Sequence, residues 1–120
     1  MNLNHAEENL KDQLMTTKLT SHSQDRLKER CGLNKSSQNR IADKAFVYGV
    51  KHSELNGSLR KWVDKLYLSH QVSNNTRLYG DKAYLFRGNN LITVIQIPNN
   101  LLKQALKVQK RKEHSYERSK

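Results

Sequence analysis

Gln71 divides this sequence into two kinds of periodicity. Before it, apolar residues recur every three or four positions, the spacing of helices that bury one face. After it they come in short runs, separated by Gly80-Asp81 and Gly88-Asn89-Asn90, the punctuation of strands and tight turns. Past Pro98 the helical spacing returns. A chain ordered this way packs helices on a small sheet, an α+β fold.

The elements follow from caps and stripes. Ser21 is placed to cap a helix from His22 to Arg30, with Leu27 and Cys31 as its apolar stripe and Gly32 as its stop. Asn34 caps a second helix, Lys35 to Tyr48, which turns Ile41, Ala42, Ala45 and Phe46 inward and ends at Gly49. Ser58 caps a third, running to Ser69 on the stripe Leu59, Trp62, Val63, Leu66. The extended region holds three strands, Thr76–Tyr79, Lys82–Arg87 and Leu91–Ile97, an antiparallel meander. A β-prone stretch from Thr16 to Thr20 is an edge strand or a linker, giving three to four strands in all. LITVIQI is nearly all apolar and is expected in the middle of the sheet, with helices over at least one face. Asn99 or Asn100 caps a final helix carrying Leu101, Leu102 and Ala105. Residues 4–15 can form a further helix, so 1–17 reads as a helical extension of one domain covering 1–109. Residues 110–120 are basic, have almost nothing apolar to bury, and are expected as a disordered tail.

Charge narrows the function. The net charge is +11, and the excess lies in the middle of the chain and at its C-terminal end, a footprint suited to polyanions. One cysteine rules out an internal disulfide and fits a reducing compartment, and no apolar run is long enough to span a membrane, so a cytoplasmic protein is expected. The sequence carries no phosphate-binding glycine loop, no CxxC, no HExxH and no GxSxG. Its five histidines lack metal-ligand spacing and its acidic residues are dispersed, so neither a metal nor another cofactor is expected.

What remains is chemistry without metal. His22, Arg26 and Arg30 fall at i, i+4 and i+8 on one helical face, an imidazole and two guanidiniums in a row. Such a set suits metal-independent cleavage of RNA: the imidazole moves a proton, and the guanidiniums hold the phosphorane. Glu29 or Glu54 stands in reserve as a base, Tyr79 or Tyr84 as an acid or a stacking ring. Lys35, Arg40, Arg60, Lys61, Arg77 and Arg87 are candidate phosphate contacts, with Arg77 and Tyr79 on one face of their strand. The same arginines also have carboxylates within reach, so plain ion pairing competes with phosphate binding.

TSHSQDRLKERCGL, followed by helices and then by RLYGDKAYLFRGNNLITVIQIP, resembles small phage- and plasmid-borne bacterial proteins with an H-x-x-x-R-x-x-x-R element, helices and a meander ending in an "ITV" strand. These are similar in layout to ribonuclease toxins of the RelE, BrnT and colicin D type, the barnase–EndoU–colicin–RelE superfamily. The resemblance spans residues 18–98. It implies a toxin-type endoribonuclease in which His22 and Arg26 match the His and Arg of the pattern, and it implies an acidic antitoxin as partner. It also leaves open a descendant that binds without cutting: a phage regulator, or an inhibitor of a host ribonucleoprotein such as a CRISPR complex.

Overall fold

The computed structural model describes residues 17–119. The helix expected over residues 4–15 lies outside that range. The elements in chain order are β1 (Lys18–Leu19), α1 (Ser21–Cys31), α2 (Lys35–Tyr48), β2 (Val50–Lys51), a 3₁₀ turn (His52–Glu54), α3 (Gly57–Ser69), β3 (Asn75–Tyr79), β4 (Lys82–Arg87), β5 (Asn90–Gln96) and α4 (Asn99–Ser119). The α+β class stands. The strands form one mixed sheet in the order β1-β5-β4-β3-β2, antiparallel except for the parallel β1–β5 pair.

The central strand is β4, not the more apolar β5. Ala83, Tyr84, Leu85 and Phe86 are each no more than 2% exposed, and successive side chains leave on opposite faces. Tyr84 and Phe86 pack with Leu27 of α1 and with Ala42 and Ala45 of α2. Ala83 and Leu85 pack with Leu59, Val63 and Leu66 of α3 and with Leu101 and Ala105 of α4. Helices therefore cover both faces, and the sheet is the middle of three layers. Opposite Leu85–Phe86 the ladder slips by one residue, from Leu85↔Thr93 to Phe86↔Leu91. The extra residue, Ile92, lets Leu91 and Val94 reach the same α1–α2 core although they are three positions apart.

Side chains at the element ends join the layers. Thr20, rather than Ser21, caps α1: its hydroxyl accepts from the Ser23 amide at 3.1 Å and donates to the Leu91 carbonyl at 3.1 Å. One threonine thus starts a helix and fastens it to β5, a double role that a serine one position later does not fill. Asn34 caps α2 as expected, accepting from the Ser37 amide at 3.0 Å. Helix α3 begins at Gly57, behind Asn56, and not at a Ser58 cap. Thr17 and Asp43 hydrogen-bond to each other in the interior.

The basic C-terminal stretch is helical and continuous with the rest of α4 as far as Ser119. Polar anchors replace the missing apolar ones. Gln109 accepts from the Gly80 amide at 2.7 Å. The Lys112 ammonium donates to the Gly49 carbonyl and to Glu54, both at 2.8 Å. Glu54 in turn accepts from the Lys51 amide at 2.9 Å. Partial burial pushes the Glu54 carboxyl upward, but hydrogen bonds from Lys112 and Lys51 outweigh it and hold the group below its ordinary value of 4.5. A carboxyl lowered on folding stabilises at neutral pH and loses that contribution as pH falls through its folded value.

Two outcomes follow from this packing. A Cβ on Gly49 would sit 2.3 Å from the Ala45 carbonyl oxygen and 2.8 Å from Cβ of Arg77, whereas a Cβ on Gly32, at φ +63°, would meet open space. In urea unfolding, Gly49→Ala should cost about 3 kcal/mol through overpacking, and Gly32→Ala about 1 kcal/mol through its left-handed backbone. Lys112→Met should speed amide exchange along the second half of α4 at pH 7. Its stability deficit relative to wild type should shrink as the pH is taken below the Glu54 range.

Candidate nucleic-acid interface

The trio on α1 does lie on one exposed stripe, but each member is engaged. Arg26 donates from Nε to His22 Nε2 at 3.4 Å and pairs with Glu29 at 3.0 Å. Arg30 folds back on the sheet and donates to the Val94 carbonyl at 3.1 Å. The structure thus brings His22 and Arg26 together, ties Glu29 to Arg26, and sends Arg30 elsewhere. The reserve base Glu54 belongs to the Lys112 anchor.

The sheet residues are divided as well. Arg77 stacks on the Phe46 ring at 5.1 Å, donates to the Phe46 carbonyl, and donates to Asn75 at 3.0 Å. Its fork therefore pins α2 to β3. Arg87, at the far end of β4, donates to the Val72 carbonyl at 3.1 Å. Tyr84 is buried and Tyr79 half-buried, both on the α1–α2 face. Burial raises both phenols, and Tyr79 feels Glu113 in addition, so neither loses a proton readily. Lys35 opens α2, and Arg40 and Arg60 stand exposed on α2 and α3.

Lys61 keeps better company. On α3 its exposed stripe is Ser58, Lys61 and Lys65, at i, i+3 and i+7. This stripe and the half-buried Trp62 face Pro98, Asn100 and Leu101 across a groove of about 300 Å³. The opposite wall is the first turn of α4, a helix of 21 residues whose positive pole opens there. From Asn100 the exposed side of α4 continues through Lys103, Lys107, Lys110 and Arg111. At 1.5 Å of rise per residue, Lys103 and Lys110 stand about 10 Å apart along the axis. The ion pairs among the described residues are Arg26–Glu29, His52–Asp64, Lys82–Asp81 and Lys112–Glu54. None involves a cation of the groove or of this stripe.

Lys65, Trp62 and the lysines of α4 were not singled out from sequence as contacts. Lys65 follows Lys61 by one turn, a signal that was available. Lys103 and Lys107 lie on the helix that was expected there, and Lys110 and Arg111 in the stretch expected as a disordered tail. Among the described residues no three histidine, cysteine, aspartate or glutamate side chains converge as a metal site would need, and no helix is long and apolar enough to cross a membrane. Compared with protein-family models, with characterised proteins and with solved structures, the chain matches none.

Arg77 and Lys61 separate support from contact. Arg77→Ala should lower unfolding free energy by about 2 kcal/mol, the loss of charge-assisted hydrogen bonds. Lys61→Ala, on an exposed helix face, should leave the unfolding midpoint within error of wild type.

Proposed function

We propose that this chain binds single-stranded nucleic acid, RNA foremost, through the α3–α4 groove and the basic side of α4, and that it does so without cutting the strand. The observation behind this reading is the set of cations without ion-pair partners that flank the half-buried indole of Trp62 at the mouth of a long helix. Phosphates give lysines their counter-charge, and a base gains by stacking on an indole. Lysine suits the task because its ammonium is a point charge on a flexible stem that can follow an irregular backbone. The His22 row is the weaker candidate: His22 Nε2 faces Arg26, Arg26 also pairs with Glu29, and Arg30 turns one donor back to the sheet.

The test is fluorescence anisotropy with a labelled single-stranded RNA over a range of salt, beside an RNA integrity assay in EDTA. Affinity should fall steeply with salt, with a logarithmic slope of about −0.7 for each phosphate engaged. Lys61→Ala/Lys65→Ala should weaken binding about tenfold and reduce the slope by about 1.4. Trp62, the only tryptophan, should be quenched as RNA is added. His22→Ala should bind like wild type, and both should leave RNA intact. Cleavage that His22→Ala abolishes, or affinity indifferent to salt, would overturn the reading.

A further inference from the structure

A second cavity lies across the sheet from the groove. It is a cleft of about 340 Å³ where the end of α1, the start of α2 and the β3–β4 turn meet. Leu33, Ile41 and the Tyr79 ring give it apolar and aromatic walls. Its polar lining is unusual in sign. The Tyr84 ring is buried, but its hydroxyl is not among the buried polar atoms left without a partner and opens on the cleft. A hydroxyl on the cleft wall that no neighbouring side chain among the described residues engages can donate to a ligand acceptor. Lys82, 8% exposed, gives one of its three ammonium donors to Asp81 at 2.9 Å. The Cys31 thiol, held protonated by burial, is a further weak donor. Asp81, the one acceptor-only group in the lining, is already held by Lys82.

We infer that this cleft binds a flat ring with acceptor oxygens on one edge, the chemistry of a keto-bearing nucleobase such as uracil. Apolar walls suit the faces of the ring, and the Tyr84 hydroxyl and Lys82 ammonium suit its oxygens. A carboxylate fits less well, because Asp81 neutralises Lys82 and would repel a second anion. An adenine edge, which offers an amino group where uracil offers oxygen, meets donors with a donor. The rim at Gly80 is tied to Gln109, so the Lys107–Arg111 turn of α4 adjoins the mouth through which a sugar and phosphate would leave.

The base can come from a free mononucleotide or from a strand. The first source is independent of the nucleic-acid reading above; the second rests on it. Cys31 is the only cysteine and lines the cleft, so its alkylation by iodoacetamide, followed by mass spectrometry on the full chain, reports occupancy. UMP at about 1 mM should slow alkylation about fivefold, whereas AMP and ribose 5-phosphate should leave the rate unchanged. A uridine dodecamer should protect at lower concentration, and Lys61→Ala/Lys65→Ala should remove that advantage while UMP protection persists. Tyr84→Phe, which removes only the hydroxyl, should abolish protection by UMP. Ile41→Trp, which fills the cleft without touching its donors, should do the same. An unchanged rate with UMP, equal protection by ribose 5-phosphate, or protection surviving in both variants would overturn the proposal. If UMP protects but RNA affinity proves indifferent to salt, the strand-binding reading fails and the cleft stands.

Discussion

Burial of β4 on both faces is the constraint that shapes this molecule. Ala83 and Leu85 look one way, Tyr84 and Phe86 the other, and all four are buried. Each face therefore needs its own helix pair, and the chain supplies α1–α2 before the meander and α3–α4 around it. The short strands β1 and β2 complete the edges, and the Ile92 bulge adjusts β5 to the helices above it. With both sheet faces covered, ligands are left with the outer faces of helices and the places where elements meet at the ends of the sheet. The α3–α4 groove and the Cys31–Tyr84 cleft are two such places, on opposite sides.

Arg40, Arg60 and Arg111 stand exposed like most of the lysines, but other arginines behave differently. Arg26, Arg30, Arg77 and Arg87 spend their forks on neighbouring carbonyls, carboxylates or rings, which a planar guanidinium with several donors does well. Most lysines on α3 and α4 stay in solvent. Lys112 of α4 is the exception, and like Lys82 of β4 it is drawn down onto a carboxylate. Among the described residues, much of the excess charge thus sits on exposed lysines outside the ion pairs, while Arg26 and Arg30 are drawn to neighbouring groups.

Much of the fold was legible because periodicity reports burial directly. The stripes of α1, α2 and α3, the cap at Asn34, the stop at Gly32 and the three long strands all come from side-chain spacing and turn chemistry. Other features depend on long-range partners and left no local trace. A two-residue strand has no period, so β2 went unseen. Thr20 caps α1 because Leu91 lies within reach of its hydroxyl, which no local preference for serine could reveal. The stretch of α4 around Gln109 and Lys112 has few apolar residues, and it is fastened by Gly49, Glu54 and Gly80, all distant in sequence. The same limit applied to the site. Helical spacing placed His22, Arg26 and Arg30 in a row correctly, but which cations stay free depends on carbonyls and carboxylates contributed by other elements.

The central functional claim is that a nucleic-acid strand lies along α3 and α4 and leaves the His22 row alone. Amide hydrogen exchange of the full chain, with and without saturating single-stranded RNA, tests it most directly. Protection should appear over residues 58–66 and 98–111, with residues 21–28, which carry His22 and Arg26, unchanged. Protection confined to residues 21–31 would place the strand on the His22 row and contradict the account.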